Sequence, residues 1–182
     1  MLATTNDEMV SSLAAFNELR CEGRRLSFAE PSATTVRIGL HFQEPSQIAY
    51  LARLVAHLGY EEIDFRGALL WLTTWGVWDP RVEAIGFKTM EQLRRSYGEN
   101  RSLESAPGHR FRDDEFMEAV CCLLTPMIVG WDAYFVPQWA YGHLDYFVFV
   151  SHDSFLDIEV RTPEMHEKVL SSLRMHEWIK AD

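Results

Sequence analysis

Ser151, His152 and Asp153 place the residue types of a nucleophilic triad in consecutive positions. Their spacing forbids that chemistry. The surrounding pattern reads as a strand, where successive side chains point to opposite faces, so Ser151 turns away from the histidine that would take its proton. No Gly-x-Ser-x-Gly elbow occurs in the chain. His143 and Asp145 stand at i and i+2 on one face of the same segment, followed by Phe147, Phe149, Ser151 and Asp153. The pair has the composition of a histidine–carboxylate base or half of a metal site, with Asp132 on the preceding strand as a third partner. His41-x-x-Glu44, His166-Glu167 and His176-Glu177 fit solvated surfaces. No Cys-x-x-Cys or His-Glu-x-x-His spacing supports zinc, so the sequence assigns no metal, no cofactor and no catalytic residue.

A second group of candidates is electrostatic. Residues 1–87 carry 7 basic and 11 acidic side chains, and residues 113–182 carry 4 and 13. Between them Lys88, Arg94, Arg95, Arg101, Arg110 and Arg112 stand against 3 acids, with His109 among them. Glu99 to Arg112 reads as a long loop, and such loops are uncommon in compact domains unless they are functional or disordered. Its Pro107-Gly108 turn would present His109 and Arg110. Arginine forks match carboxylates and phosphates, so Arg94, Arg101, His109 and Arg110 make an anion clamp, with Trp75 and Trp78 as its apolar wall. His109 would be its acid–base group. The competing expectation is that the loop lies on the protein's own acidic surface and its arginines pair there.

The tryptophans divide by position. Trp71 and Trp131 fit buried core, whereas Trp78 and Trp139 fall at strand ends or loops, where aromatics wall pockets or anchor partners.

These residues need a scaffold. Asn6 to Arg25 reads as a capped helix with Val10, Leu13, Ala14 and Leu19 on one side. Thr35 to Phe42 alternates as a half-buried strand, and a second helix follows Pro45 to Gly59. Gly67 to Trp75 is apolar on both faces and predicts a central strand. A third helix runs from Pro80 or Lys88 to Tyr97, and a fourth from Asp113 or Asp114 to Pro126. Strands over 130–136, 145–152 and 155–161 form a meander with turns at Pro137-Gln138-Trp139 and Asp153-Ser154. On the last strand Asp157 and Glu159 face solvent. Thr162-Pro163 opens a final helix. The order predicts one α+β domain over 1–182, with a mixed, mainly antiparallel sheet of about five strands and helices packed on its faces.

Composition narrows the function. The chain has 182 residues, 47% of them hydrophobic, and a formal charge of −10. Its sequence pI is near 5.1, so bulk charge repels nucleic acid, and no nucleic-acid partner is expected. The longest apolar stretch, Ala119 to Trp131, falls short of the roughly twenty residues that span a bilayer, so no membrane partner is expected. Three cysteines, two of them adjacent, read as reduced thiols, and with an N-terminus lacking a secretory pattern they predict a cytoplasmic protein. Two functions remain. The first is a non-catalytic, inhibitor- or immunity-like domain that binds a basic protein partner through Asp157, Glu159 and the acidic last helix. The alternative is a small-molecule binder or enzyme that clamps an anionic ligand with the basic segment 94–112.

Overall fold

The computed structural model of the chain describes residues 1–30, 34–40, 44–74, 80–140 and 142–178, and for residues 80–83 the backbone alone. In chain order the elements are β1 (Leu2–Thr4), α1 (Asn6–Ala14), β2 (Leu19–Glu22), β3 (Arg25–Phe28), β4 (Thr34–Gly39), α2 (Pro45–Ala56), β5 (Phe65–Thr74) and α3 (Pro80–Ser96). They continue with β6 (Gly108–Arg112), α4 (Phe116–Val129), β7 (Asp132–Trp139), β8 (Tyr146–Ser151), β9 (Phe155–Val160) and α5 (Pro163–Met175). The architecture is α+β. A 7-stranded sheet runs β1-β6-β5-β7-β8-β9-β4, and β2-β3 forms a separate hairpin.

The sheet is larger than the five or so strands expected, and every pairing in it is antiparallel rather than mixed. The extra strands are β1, only 3 residues long, and β6, inside the segment read as a loop. The sequence-predicted first helix stops at Ala14. Beyond it Leu19 and Cys21 face inward opposite Leu26 and Phe28, and Gly23, at φ 63°, makes the tight turn of the hairpin. Pro126 does not close α4 but lies inside it, and the helix ends at Gly130, also at positive φ. Pro137 and Trp139 belong to β7 rather than to a turn. Pro137 pairs with β5, while the β8 pairing stops at Phe135, so the missing N–H breaks no ladder on that side.

Each face of the sheet has its own core. On one face Leu70, Leu72, Phe135, Val148 and Ile158 pack beneath residues such as Leu51 and Val55 of α2, Leu123 of α4 and Val169 of α5. Fully burying a side chain of this kind contributes about 1.5–3 kcal/mol. On the other face α1 and the hairpin cover Leu69, Trp71, Tyr134, Val136 and Phe147 through Met9, Leu13, Leu26 and Phe28. A capping box between Thr5 and Glu8 starts α1, and Asn6 Oδ1 accepts the Trp71 indole N–H at 2.9 Å. This second covering leaves the β4–β9–β8 side of that face open.

Candidate functional site

One row of paired residues crosses the sheet on the thinly covered face: Arg37, Asp157, Phe149, Tyr134, Trp71, Gly108 and Thr4. Directly paired strand residues share a face, so the register alone aligns these side chains. At the Thr4 end the row is packed under α1. At the Arg37 end it forms the floor of a cleft of about 570 Å³, whose other wall is Arg24, Arg25, Leu26 and Ser27 of the hairpin.

Rings line the floor. Phe149 lies 4.8 Å from Tyr134 and 6.4 Å from Phe155, centroid to centroid. Phe149 and Phe155 are half-buried and face the cleft, whereas Phe147 is buried. Arg37 grips Asp157 with Nε and Nη2, both at 2.7 Å, and its guanidinium carbon lies 3.8 Å above the Phe155 ring. Thr35 Oγ1 donates to Glu159 at 2.9 Å, and burial raises the Glu159 carboxyl above its ordinary value against that hydrogen bond. Arg24 donates to the Thr73 carbonyl at 2.6 Å. Arg25 is exposed at the rim and has neither a hydrogen bond nor an ion pair among the described residues.

Asp132, which lines the cleft beside Thr73 and Thr74, belongs to a pair that sequence reasoning missed. Asp132 Oδ1 accepts from both the backbone N–H and Nδ1 of His152, each at 2.8 Å, while Oδ2 accepts from Thr74 Oγ1 at 2.6 Å. Asp132 accepts only, so Nδ1 carries a proton, while Nε2 lies 3.6 Å from Asp153 Oδ1. The bond to Asp132 raises the imidazole pKa, and the side chain remains 44% exposed. The turn after β8 brings His152 back over the start of β7. A local triad reading of Ser151-His152-Asp153 has no access to a partner twenty residues upstream.

The expected sites are placed differently. Asp157 is buried and Glu159 half-buried, and both line the open cleft rather than a fully exposed strand face. Asp132 partners His152 rather than the His143/Asp145 pair, and Asp145 is held by the Tyr60 hydroxyl and Arg161. Trp139 is buried and stacks on Tyr60 at 4.5 Å rather than walling a pocket. Trp71 and Trp131 are core, as expected. Trp75 and Trp78 lie outside the described residues.

In the basic segment, Arg101 pairs with Glu99 at 2.7 Å and donates to the Ala3 carbonyl, Arg95 pairs with Glu91, and Arg112 pairs with Asp114 and Glu115. The Arg101 hydrogen bonds hold the Glu99 carboxyl down to about 2. Arg110 is exposed on the same face as Leu69 and Leu2. Arg94 and His109 are buried, not presented by a turn, because His109 sits in β6 pointing toward the helices. Among the described residues no three or more His, Cys, Asp or Glu gather as a metal site, and no helix is long and apolar enough to cross a membrane.

No protein family, curated protein or solved structure matches this chain.

Proposed function

We propose that the protein is a binding domain for a small molecule with a flat apolar body and an anionic group, held in the cleft between the β2-β3 hairpin and the β4–β9–β8 side of the sheet. The observation that carries the reading is the pairing of two half-exposed rings, Phe149 and Phe155, with the exposed rim guanidinium of Arg25, which makes no hydrogen bond among the described residues. Pockets of this kind take an apolar body on their aromatic walls and fix its orientation with a few polar groups. Arg37, Asp157, Thr35 and Glu159 hold one another and stiffen the wall. The two carboxylates expected to meet a basic protein partner are thereby already engaged, which favours a small ligand over that partner.

The test is thermal unfolding with a panel of naphthoates and aryl phosphates, matched neutral amides and inorganic phosphate. The aromatic anions raise the Tm, while the amides and bare phosphate do not. Arg25→Glu and Phe149→Ser each remove the shift and leave the fold intact by circular dichroism. A panel that moves no melting curve, or shifts that survive both substitutions, defeats the reading.

A second reading rests on the 2.8 Å contact between Asp132, which lines the cleft, and the exposed imidazole of His152 next to it. A carboxylate that orients an exposed imidazole makes a general base, so a captured ligand with an acidic proton or a hydrolysable bond there would be turned over. Turnover that persists unchanged in His152→Gln would exclude it.

A further inference from the structure

Arg94, on the inward side of α3, is 1% exposed, and its Nε, Nη1 and Nη2 have no hydrogen-bond partner among the described residues. His109, on β6, is 0% exposed, and both of its ring nitrogens are likewise unpartnered. The two side chains belong to one electrostatic neighbourhood, which also contains Glu99 and Cys122. A guanidinium does not give up its proton in proteins, and it presents five N–H donors and no acceptor. An unpaired buried charge costs several kcal/mol. Something must therefore compensate Arg94.

The residues nearby do not. Glu99 directs its carboxylate to Arg101, through Nε at 3.0 and 3.2 Å, Nη2 at 2.7 Å and the backbone N–H at 2.8 Å. Glu91 pairs with Arg95. Burial raises the Cys122 thiol, so it stays protonated and carries no charge. Burial and the charge of Arg94 lower the His109 imidazole to about 3, so at neutral pH it adds one N–H donor and no charge. The Met1 ammonium also acts on His109 but is paired with Glu115, so the balance over Arg94, Arg101, Glu99 and His109 is a single positive charge surrounded by unmet donors. Ordered water could accept those hydrogen bonds but would leave the charge uncompensated.

We infer that Arg94 and His109 hold a small monovalent inorganic anion of the halide class, enclosed between α3 and β6. The ion receives the guanidinium N–H groups on one side and the imidazole N–H on the other, and it ties the third helix to the sheet. The site lies on the helix-covered face and stands independently of the cleft. A single buried positive charge matches a monovalent ion, whereas a doubly charged phosphate would exchange one uncompensated charge for another.

Two measurements on the whole protein test this. The first is thermal unfolding at constant ionic strength as gluconate, a bulky organic carboxylate, is replaced by chloride or bromide. The Tm rises with halide and continues to rise as its logarithm above the dissociation constant, as linkage requires. Arg94→Met loses that dependence, and His109→Gln, which keeps an N–H donor, retains part of it. If Arg94→Met does not fold, the second measurement decides: anomalous scattering from wild-type crystals grown in bromide. A bromide peak within hydrogen-bond distance of both Arg94 and His109 supports the inference. Bromide found only elsewhere, water alone at that position, or a wild-type Tm indifferent to halide overturns it.

Discussion

Arg37 and Asp157 face each other across β4 and β9, and Arg37 donates two parallel hydrogen bonds of 2.7 Å to the Asp157 carboxylate. Asp157 is buried and Arg37 is largely exposed, so the arginine reaches over the sheet edge to neutralise a carboxylate that would otherwise be stranded under the cleft. Removing Arg37 leaves that carboxylate unpaired. Arg37→Ala should lower the midpoint of urea unfolding, and Arg37→Lys should restore little of the loss because the fork geometry is gone. In Arg37→Ala/Asp157→Asn together the loss should be clearly smaller than the sum of the two. Strict additivity would mean that the pair does not act as a unit.

His109 makes stability depend on pH in a predictable direction. Its folded pKa, about 3, lies below the ordinary 6.5, so the unfolded chain binds the proton first. The contribution is complete above about pH 6.5 and is lost as the pH falls toward 3, with a slope of about 1.4 kcal/mol per pH unit. Comparing wild type with His109→Gln in urea at several pH values, with gluconate and no halide so that the Arg94 charge stays uncompensated, isolates this slope. Parallel pH profiles for the two proteins would refute the assignment.

Asp132 and His152 give the opposite sign. The imidazole pKa is raised by the Asp132 hydrogen bond, so its contribution is present below the ordinary value and disappears as pH rises through the folded value. In Asp132→Asn the His152 ring resonance, followed by NMR titration, should move back toward an unperturbed pKa. An unchanged titration would show that another group sets it.

Gly108 is required by contact rather than by backbone angle. A Cβ there would come within 2.2 Å of Thr4 Oγ1 and 2.5 Å of Met9 Cε. Gly108→Ala should destabilise by about 1–3 kcal/mol and loosen β1 specifically, read as faster amide exchange at Leu2 to Thr4 than at β7 or β8. Uniform loosening of the sheet would point to a different cause.

Strands whose inward residues are all apolar were legible from alternation alone. β9 shows Leu156, Ile158 and Val160, and β4 shows Val36 and Ile38. β6 was not, because its inward positions are Gly108 on one face and His109 and Phe111 on the other, and Gly108 and His109 read as a turn and a polar loop. The hairpin was hidden in the same way, since Arg20, Arg24 and Arg25 resemble the basic end of a helix. For the candidate sites, alternation showed that Asp157, Glu159, Phe147 and Phe149 avoid the main core. Whether that second face meets water depends on α1 and the hairpin folding over it, which is tertiary information. The Asp132–His152 pair joins residues brought together only by the β7–β8 register.

Both outermost strands of the sheet, β1 and β4, come from the first forty residues, whereas the strands between them come from residues 65–160. During synthesis the two borders therefore emerge before anything they border. Leu2 must wait for Arg110, and Arg37 for Asp157, 120 residues downstream. The chain is made from one end, so the N-terminal strands have no pairing partner in this sheet until their neighbours, β6 and β9, have been made. Such long-range pairing is slow to form.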